Sequence, residues 1–125
     1  MSTETSNESS IETVIQGQID SNPIILYMKG NPNAPQCGFS AQSVQMLMAC
    51  GQKFAYVDIL SNPEIRANLP KVSDWPTFPQ LFVDGELVGG CDIMTDMYQK
   101  GELKTLLDES AAAREEGGEE EQAKA

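Results

Sequence analysis

Two short apolar runs separated by a helical segment constrain the fold more than any other feature of this chain. Ile24–Met28 and Phe54–Ile59 are each bounded by turn residues, which is typical of buried strands. The segment from Gly38 to Cys50 carries apolar residues at helical spacing, and Gly51 follows it as a natural helix stop. Because a helix that joins two strands is a crossover connection, the two strands should lie parallel in one sheet.

The remaining pattern adds a hairpin and four further helices. An Asp-Gly turn at Asp84-Gly85 joins the runs Gln80–Val83 and Glu86–Val88, which favours antiparallel strands. The predicted helices run from a Ser9–Glu12 capping signal to about Asp20, from Asn62-Pro63 to Leu69-Pro70, from an Asp92 cap to Gly101, and from Glu102 to about Ala112. The order predicts an α/β fold, with a four-stranded mixed sheet and helices on both faces.

The negative charge of the chain is unevenly distributed and makes some classes of binding partner unlikely. Nineteen Asp and Glu against eight Lys and Arg give a net charge of -11, which repels nucleic acid and anionic lipid, so neither partner is expected. No apolar run reaches the length of a membrane span. Much of the acidity lies at the ends, so we expect a flexible N-terminus at 1–10, one domain at 11–110 and an acidic disordered tail at 111–125.

The absence of histidine excludes several classes of enzyme. A chain with no His lacks the usual general base, the usual zinc ligand and every triad that uses imidazole. The cysteine count is three, an odd number, and the polar N-terminus has no signal-peptide pattern. These features predict a reducing, cytoplasmic environment and a thiol that reacts rather than a structural disulfide.

Cys37 is the candidate for that thiol. It ends a proline-containing loop directly before a predicted helix, whose free N–H groups and dipole favour a thiolate, and Lys29 can add positive charge. A loop thiol without function is the alternative. The position resembles a Cys-x-x-Cys redox motif, but Ser40 replaces the second Cys and cannot resolve a mixed disulfide. Glutathione is the abundant cytosolic thiol that could do so.

Three separated motifs then resemble one family. The string Lys29–Ser40, the segment Trp75–Gln80 and the segment Asp84–Asp92 are similar, in this order, to the signatures of monothiol glutaredoxins of the Cys-Gly-Phe-Ser type. The resemblance runs from about residue 11 to residue 108 and is to the single-domain bacterial form. It implies a thioredoxin-like fold.

The resemblance also implies roles for the charged and reactive residues. Cys37 would be both the reactive thiol and the ligand of an iron-sulfur cluster. Lys29 and Arg66 would bind the glycine carboxylate of glutathione, which suits two cations in an otherwise acidic protein. Solvated surface charges are the alternative for this pair.

A second set of residues would hold the rest of the tripeptide. Phe78, before a cis bond to Pro79, would offer backbone N–H and C=O groups as a strand edge does. Gly90, Cys91 and Asp92 would bind the γ-glutamyl end at the start of a helix, with Asp92 pairing with the amine. A plain N-cap is the alternative for Asp92.

Three functions are open, and the cluster carrier is preferred because the long loop between Lys29 and Cys37, with Pro32 and Pro35, resembles that of the cluster-binding members of the family. A carrier would hold a 2Fe-2S cluster between two chains, with two Cys37 and two glutathione thiolates as its four ligands, and pass it to apo iron-sulfur acceptor proteins. The homodimer would depend on the cluster. A glutathione-dependent oxidoreductase that removes glutathione from proteins would use the same pocket, and we expect at most a weak activity. A regulatory module with a BolA-like partner is the third alternative, which the sequence neither supports nor excludes.

The other sulfur-containing and aromatic residues have mostly structural explanations. Cys50, at the end of a helix, should be a packed thiol. Cys91 lies in the glutathione turn rather than in a core pattern, so a backbone contact is expected, and a slow disulfide with Cys37 stays open. Trp75 should pack the loop before Pro76. Ordinary helix packing is expected of Met46, Met48, Met94 and Met97.

Overall fold

The structure is a computed structural model, which describes the backbone of residues 3–124 and the side chains of residues 10–113. Residues 1, 2 and 125 lie outside the described part. The elements in chain order are α1 (Thr3–Ser21), β1 (Ile24–Met28), β2 (Gly30–Asn31), β3 (Ala34–Pro35), α2 (Gly38–Cys50), β4 (Ala55–Asp58), α3 (Pro63–Ser73), β5 (Gln80–Val83), β6 (Glu86–Gly89), α4 (Cys91–Gln99) and α5 (Glu102–Lys124).

The four-stranded mixed sheet has the order β4-β1-β5-β6 and confirms the predicted fold class. β1 pairs in parallel with β4 and antiparallel with β5, which continues through the Asp-Gly turn into β6. The register places Met28 beside Asp58 at the end of β1 and Tyr27 beside Gln80 at the start of β5. The loops that follow β1 and precede β5 therefore lie at the same end of the sheet.

Side-chain alternation along β1 builds a core on each face of the sheet. All five residues of β1 are buried. Ile24, Leu26 and Met28 pack with α2, α4 and α5, whereas Ile25 and Tyr27 pack with α1 and α3. Helices thus cover both faces of the sheet, as predicted. The paired strands β1 and β5 fix the position of the loop that follows β1 and of the loop that precedes β5.

The segment Lys29–Cys37, called here the cysteine loop, contains a small hairpin that the sequence did not indicate. β2 and β3 have two residues each, which is too short for any periodicity. The side chain of Asn31 closes the turn, because its Oδ1 accepts the N–H groups of Asn33 and Ala34 at 2.9 Å. Gln36 N–H donates to the carbonyl of Lys29 at 2.9 Å, so the loop returns to its own beginning.

Two helix boundaries near the ends of the chain differ from the expectation. α1 begins at Thr3, so Ser9 lies inside the helix and does not cap it; no Gly or Pro in Thr3–Glu8 would stop a helix there. α5 continues to Lys124, whereas we expected a helix to about Ala112 and then a disordered tail. Ala and Glu, both good helix formers, dominate this stretch. The three-part division of the chain stays a prediction.

Other local expectations were also wrong. α3 continues through Pro70 to Ser73, although proline cannot donate a helical hydrogen bond. The burial of Leu69 and the partial burial of Val72 in the core offset the cost of that missing bond. α4 has Gly90 rather than Asp92 as its N-cap. Met48 is 55% exposed on α2 and does not pack as expected.

In the described part of the chain, no helix is both long and apolar enough to cross a membrane.

Candidate functional site

One cavity of about 570 Å³ brings together residues from distant parts of the chain. It lies between the start of α2, the loop that follows α3 and the start of α4. Every site residue expected from the sequence lies in its lining. The lining consists of Lys29, Cys37, Phe39, Arg66, Pro70, Trp75, Pro76, Thr77, Phe78, Pro79, Gly90, Cys91, Asp92 and Ile93.

Cys37 is the N-cap residue of α2 and is partly exposed. The amide of Ser40 contributes most to lowering the pKa of Cys37; the amide of Phe39, the charge of Lys29 and the Ser40 hydroxyl lower it further. Partial burial opposes these groups without cancelling them. The pKa therefore lies below the ordinary thiol value, which favours the thiolate form that a nucleophile or metal ligand needs.

Ser40 stands where a dithiol motif would carry its second cysteine, and it has a structural task. Its side chain is completely buried, and its hydroxyl accepts the N–H of Lys29 at 3.0 Å. This bond joins the end of β1 to the first turn of α2. All three cysteines are free thiols, but Cys50 and Cys91 are buried, so Cys37 is the one accessible sulfur among them.

The other two thiols are buried, but for different reasons. Cys50 packs in the core as expected, and burial together with the charge of Asp108 raises its pKa. Cys91 was expected outside the core, and this was wrong: it is 8% exposed, and its thiol donates to Oε1 of Gln42 at 3.6 Å. The start of α4 turns the side chain of Cys91 inward toward α2, while the residue still contributes to the cavity lining.

One wall of the cavity comes from the loop before β5. The Phe78-Pro79 peptide bond is cis, as the resemblance implied. Gln80 is fully buried behind it, and its Nε2 donates to the carbonyls of Trp75 and Thr77 at 2.9 and 3.0 Å. One glutamine side chain thus holds this wall in place.

Trp75 does more than pack its loop, because its indole forms part of the cavity wall. A Cβ added to Gly90 would lie 3.3 Å from the indole Nε1 and 3.3 Å from the Pro79 carbonyl. A larger side chain at position 90 would press against the wall. Glycine at the N-cap of α4 therefore lets the start of that helix approach the loop closely.

The cavity lining has more basic than acidic side chains, unlike the chain as a whole. Lys29 is half-buried and Arg66 is exposed, and both line the cavity with Asp92 as the acidic residue. Asp92 lies in the first turn of α4, where the backbone N–H groups have no acceptor within the helix. The lining can therefore receive a carboxylate at the two cations and a second polar group at the helix start.

Comparison with known sequences decides the family. The sequence profile of the glutaredoxin family matches residues 24–88, which contain β1 through most of β6 and with them Cys37, Arg66 and the cis-proline. The chain is a glutaredoxin. Since Ser40 replaces the second cysteine of the motif, it is a monothiol member.

Relatives and solved structures agree with this assignment. Glutaredoxin 4 of Escherichia coli (strain K12) is 70% identical over 98 residues, which cover 78% of this chain and 85% of the relative. The solution structure of reduced apo GrxS14 from poplar is 41% identical, with a TM-score of 0.71 over 82% of this chain and 94% of that one. A buckwheat glutaredoxin in complex with glutathione has a TM-score of 0.75 over 90% and 98% of the two chains; at 22% identity it shows the same fold.

Sequence reasoning missed several residues of this glutaredoxin's site. Phe39 and Ile93 are 60% and 36% exposed at the cavity, where they form apolar surface beside Cys37 and Asp92. Phe39 lies inside the string Lys29–Ser40 and Ile93 directly follows Asp92, so the neighbouring motif residues were the available signal. Gly89 has φ +143, and a Cβ there would lie 2.7 Å from Ile93, so the turn and the apolar residue fit together. Pro70 and the wall-forming role of Gln80 had no local signal.

Proposed function

We propose that this glutaredoxin binds glutathione in the cavity beside Cys37. The observation that carries the proposal is the meeting of all eight expected residues in one cavity of about 570 Å³, a size suited to a small molecule. In this proposal Lys29 and Arg66 bind the glycine carboxylate, and the backbone of Phe78 pairs with the tripeptide beside Pro79. The start of α4 at Gly90, Cys91 and Asp92 receives the γ-glutamyl end.

We further propose that the cargo is a 2Fe-2S cluster. Such a cluster needs four ligands, and one chain offers the single accessible thiol of Cys37. Within the described residues, no group of three or more Cys, Asp or Glu side chains lies together, and the sequence has no His. Two chains and two glutathione thiolates complete the set. The dimer therefore depends on the cluster, and the non-protein ligands favour transfer to apo iron-sulfur proteins.

The chemistry of the donor set supports this cargo. Thiolates are the ligands that iron-sulfur clusters take, and the lowered pKa of Cys37 favours its thiolate form. The partial exposure of Cys37 leaves the sulfur accessible to a second chain. Free thiols on all three cysteines support a cytoplasmic location, where the environment is reducing.

A glutathione-dependent oxidoreductase is the second candidate, because the same thiolate is an accessible nucleophile. Cys37 would attack the glutathione sulfur of a protein mixed disulfide, form a new disulfide with glutathione and release the protein thiolate. A second glutathione would then attack that disulfide, which releases oxidised glutathione and restores Cys37. Ser40 cannot take this second step, so the reaction depends on free glutathione.

Anaerobic reconstitution with iron, sulfide and glutathione distinguishes the two functions. The carrier should gain the visible absorption of a cluster and sediment as a dimer, and the metal-free protein should sediment as a monomer. Cys37→Ser should fold normally and gain no cluster, whereas Cys50→Ala should behave like the parent because Cys50 is a core residue. Cluster formation by Cys37→Ser would reject the ligand assignment. An unreconstituted parent that reduces mixed disulfides would favour the oxidoreductase.

A further inference from the structure

Asp58 lies at the end of β4, beside Met28 where β1 ends. Its Oδ1 accepts the N–H groups of Gly30 and Leu60 at 2.9 Å each, and its Oδ2 accepts the Ser61 hydroxyl at 3.0 Å. Leu60 and Ser61 belong to the turn before α3, whereas Gly30 is 28 residues earlier in the cysteine loop. One carboxylate therefore joins the cysteine loop to the turn that leads into α3.

The backbone that receives this bond has little freedom. Gly30 has φ +91, and a Cβ there would lie 2.6 Å from the Ala34 carbonyl and 2.8 Å from the Gln36 nitrogen. The neighbouring Lys29 donates its N–H to Ser40 and accepts the N–H of Gln36 at its carbonyl. The bonds of Lys29 thus close the cysteine loop on itself and on α2, and Asp58 holds it to the sheet from outside the loop.

The bond from Gly30 is strengthened by charge. Burial raises the pKa of Asp58, but the bonds from Gly30, Leu60 and Ser61 lower it more, so the pKa lies below its usual value. The side chain is therefore an ionised acceptor at neutral pH. Hydrogen bonds to an ionised acceptor are about twice as strong as neutral ones.

Asp58 is connected to the cavity through Gly30 and the neighbouring Lys29. The side chain of Lys29 lines the cavity, and its charge lowers the pKa of Cys37. Where the ammonium group stands depends on the backbone of Lys29 and Gly30, since the side chain leaves from that backbone. Movement of Gly30 away from Asp58 would therefore displace the positive charge from the anion-binding part of the cavity.

We propose that Asp58 is a positioning residue for the glutathione pocket, acting through the backbone of Gly30 to place Lys29. Asp58 itself does not line the cavity. The inference deepens the proposed function and rests on it for the identity of the ligand. The competing explanation is that Asp58 only starts α3 through Leu60 and Ser61.

Two measurements test this on the full chain. Amide hydrogen exchange of the ligand-free parent should show a protected Gly30 N–H, and Asp58→Ala should raise its exchange rate at least about tenfold while Leu26 inside β1 is unchanged. Calorimetry should show that Asp58→Ala weakens glutathione binding by about tenfold, the lower end of what a bond to a charged group supports. Thermal unfolding checks that the variant is folded.

Matched variants separate positioning from a role in folding. Asp58→Asn keeps an oxygen acceptor for Gly30, so its affinity for glutathione should stay within about threefold of the parent. Ser61→Ala removes a bond on the side of α3 and should leave the affinity unchanged. An equal loss in Ser61→Ala, or no rescue by Asp58→Asn, would overturn the proposal.

The parent alone also gives a decision if Asp58→Ala does not fold. A Gly30 amide that exchanges in the parent as fast as an open loop would overturn the positioning role. A parent that shows no glutathione binding would reject the proposed function, which is a different outcome because the exchange measurement uses no ligand.

Discussion

Substitution of Gln80 should separate the loss of hydrogen bonds from the burial of charge. In Gln80→Leu the carbonyls of Trp75 and Thr77 lose their donor, which costs about 1 kcal/mol for each bond. The change also removes the buried Oε1 of Gln80, which has no partner among the described residues and whose burial costs at least about 1 kcal/mol. The two effects partly cancel, so we expect a net loss of about 1 kcal/mol.

Gln80→Glu has nearly the same shape but should be much less stable at neutral pH. A carboxylate at this fully buried position would face two carbonyl oxygens, so the folded protein should hold it protonated. Protonating a carboxyl of ordinary pKa, about 4.3, costs about 3.7 kcal/mol at pH 7 and about 1 kcal/mol at pH 5. A pKa raised by folding means stability is lost as pH rises, so acidification should restore about 2.7 kcal/mol.

Urea unfolding followed by far-ultraviolet circular dichroism at pH 7 and pH 5 measures these differences. The free energy of unfolding of Gln80→Glu, relative to Gln80→Leu at the same pH, should rise as the pH falls. Equal stability of the two variants at both pH values would refute the reasoning, because Gln80 would then not face the two carbonyls in a buried site. A loss of about 2 kcal/mol in Gln80→Leu, the full cost of the two bonds, would show that removing the unpartnered oxygen offers no compensation.

Three further predictions concern the thiols, the cations and the core. Iodoacetamide should modify Cys37 with a midpoint below the ordinary thiol pKa and leave the buried Cys50 unmodified in the folded protein; equal rates by mass spectrometry would contradict both assignments. Lys29→Ala should weaken glutathione binding by about tenfold to a hundredfold and flatten its salt dependence, whereas Lys53→Ala, outside the cavity lining, should not; equal losses by calorimetry would mean that general charge sets the affinity. Tyr27→Phe should lose about 1 kcal/mol of stability, because the Tyr27 hydroxyl donates a hydrogen bond of 2.8 Å to Oε1 of Gln18 in α1. An unchanged urea midpoint would argue against that bond.

Local patterns were sufficient for the larger elements of this fold. The apolar run of β1 and the helical period of α2 are strong signals because most of their apolar side chains are buried, with Met48 as an exception. The N-cap of α4 was misplaced at Asp92, since the true cap, Gly90, has no side chain to signal it. The two-residue strands β2 and β3 were missed because hydrogen bonds accepted by one Asn side chain, rather than a hydrophobic pattern, form that turn.

The site was predictable mainly through the family resemblance. Periodicity identified Cys37 as a thiol before a helix, but it could not show that Arg66 and Phe78 face the same cavity. Contacts between distant residues also set the details that the sequence hid. The bond between Gly30 and Asp58 spans 28 residues, and the burial of Cys91 depends on how α4 packs against α2.

The burial of Ser40 makes the monothiol state difficult to reverse by mutation. A single nucleotide change can convert a serine codon to a cysteine codon, so the genetic distance to a dithiol site is short. The physical distance is longer: sulfur is larger than oxygen and a weak acceptor, and position 40 has no exposed surface and must accept the Lys29 N–H. A lineage that regained the second thiol would loosen the junction of β1 and α2 in the same step, and it would need a compensating change nearby before selection could favour the new chemistry.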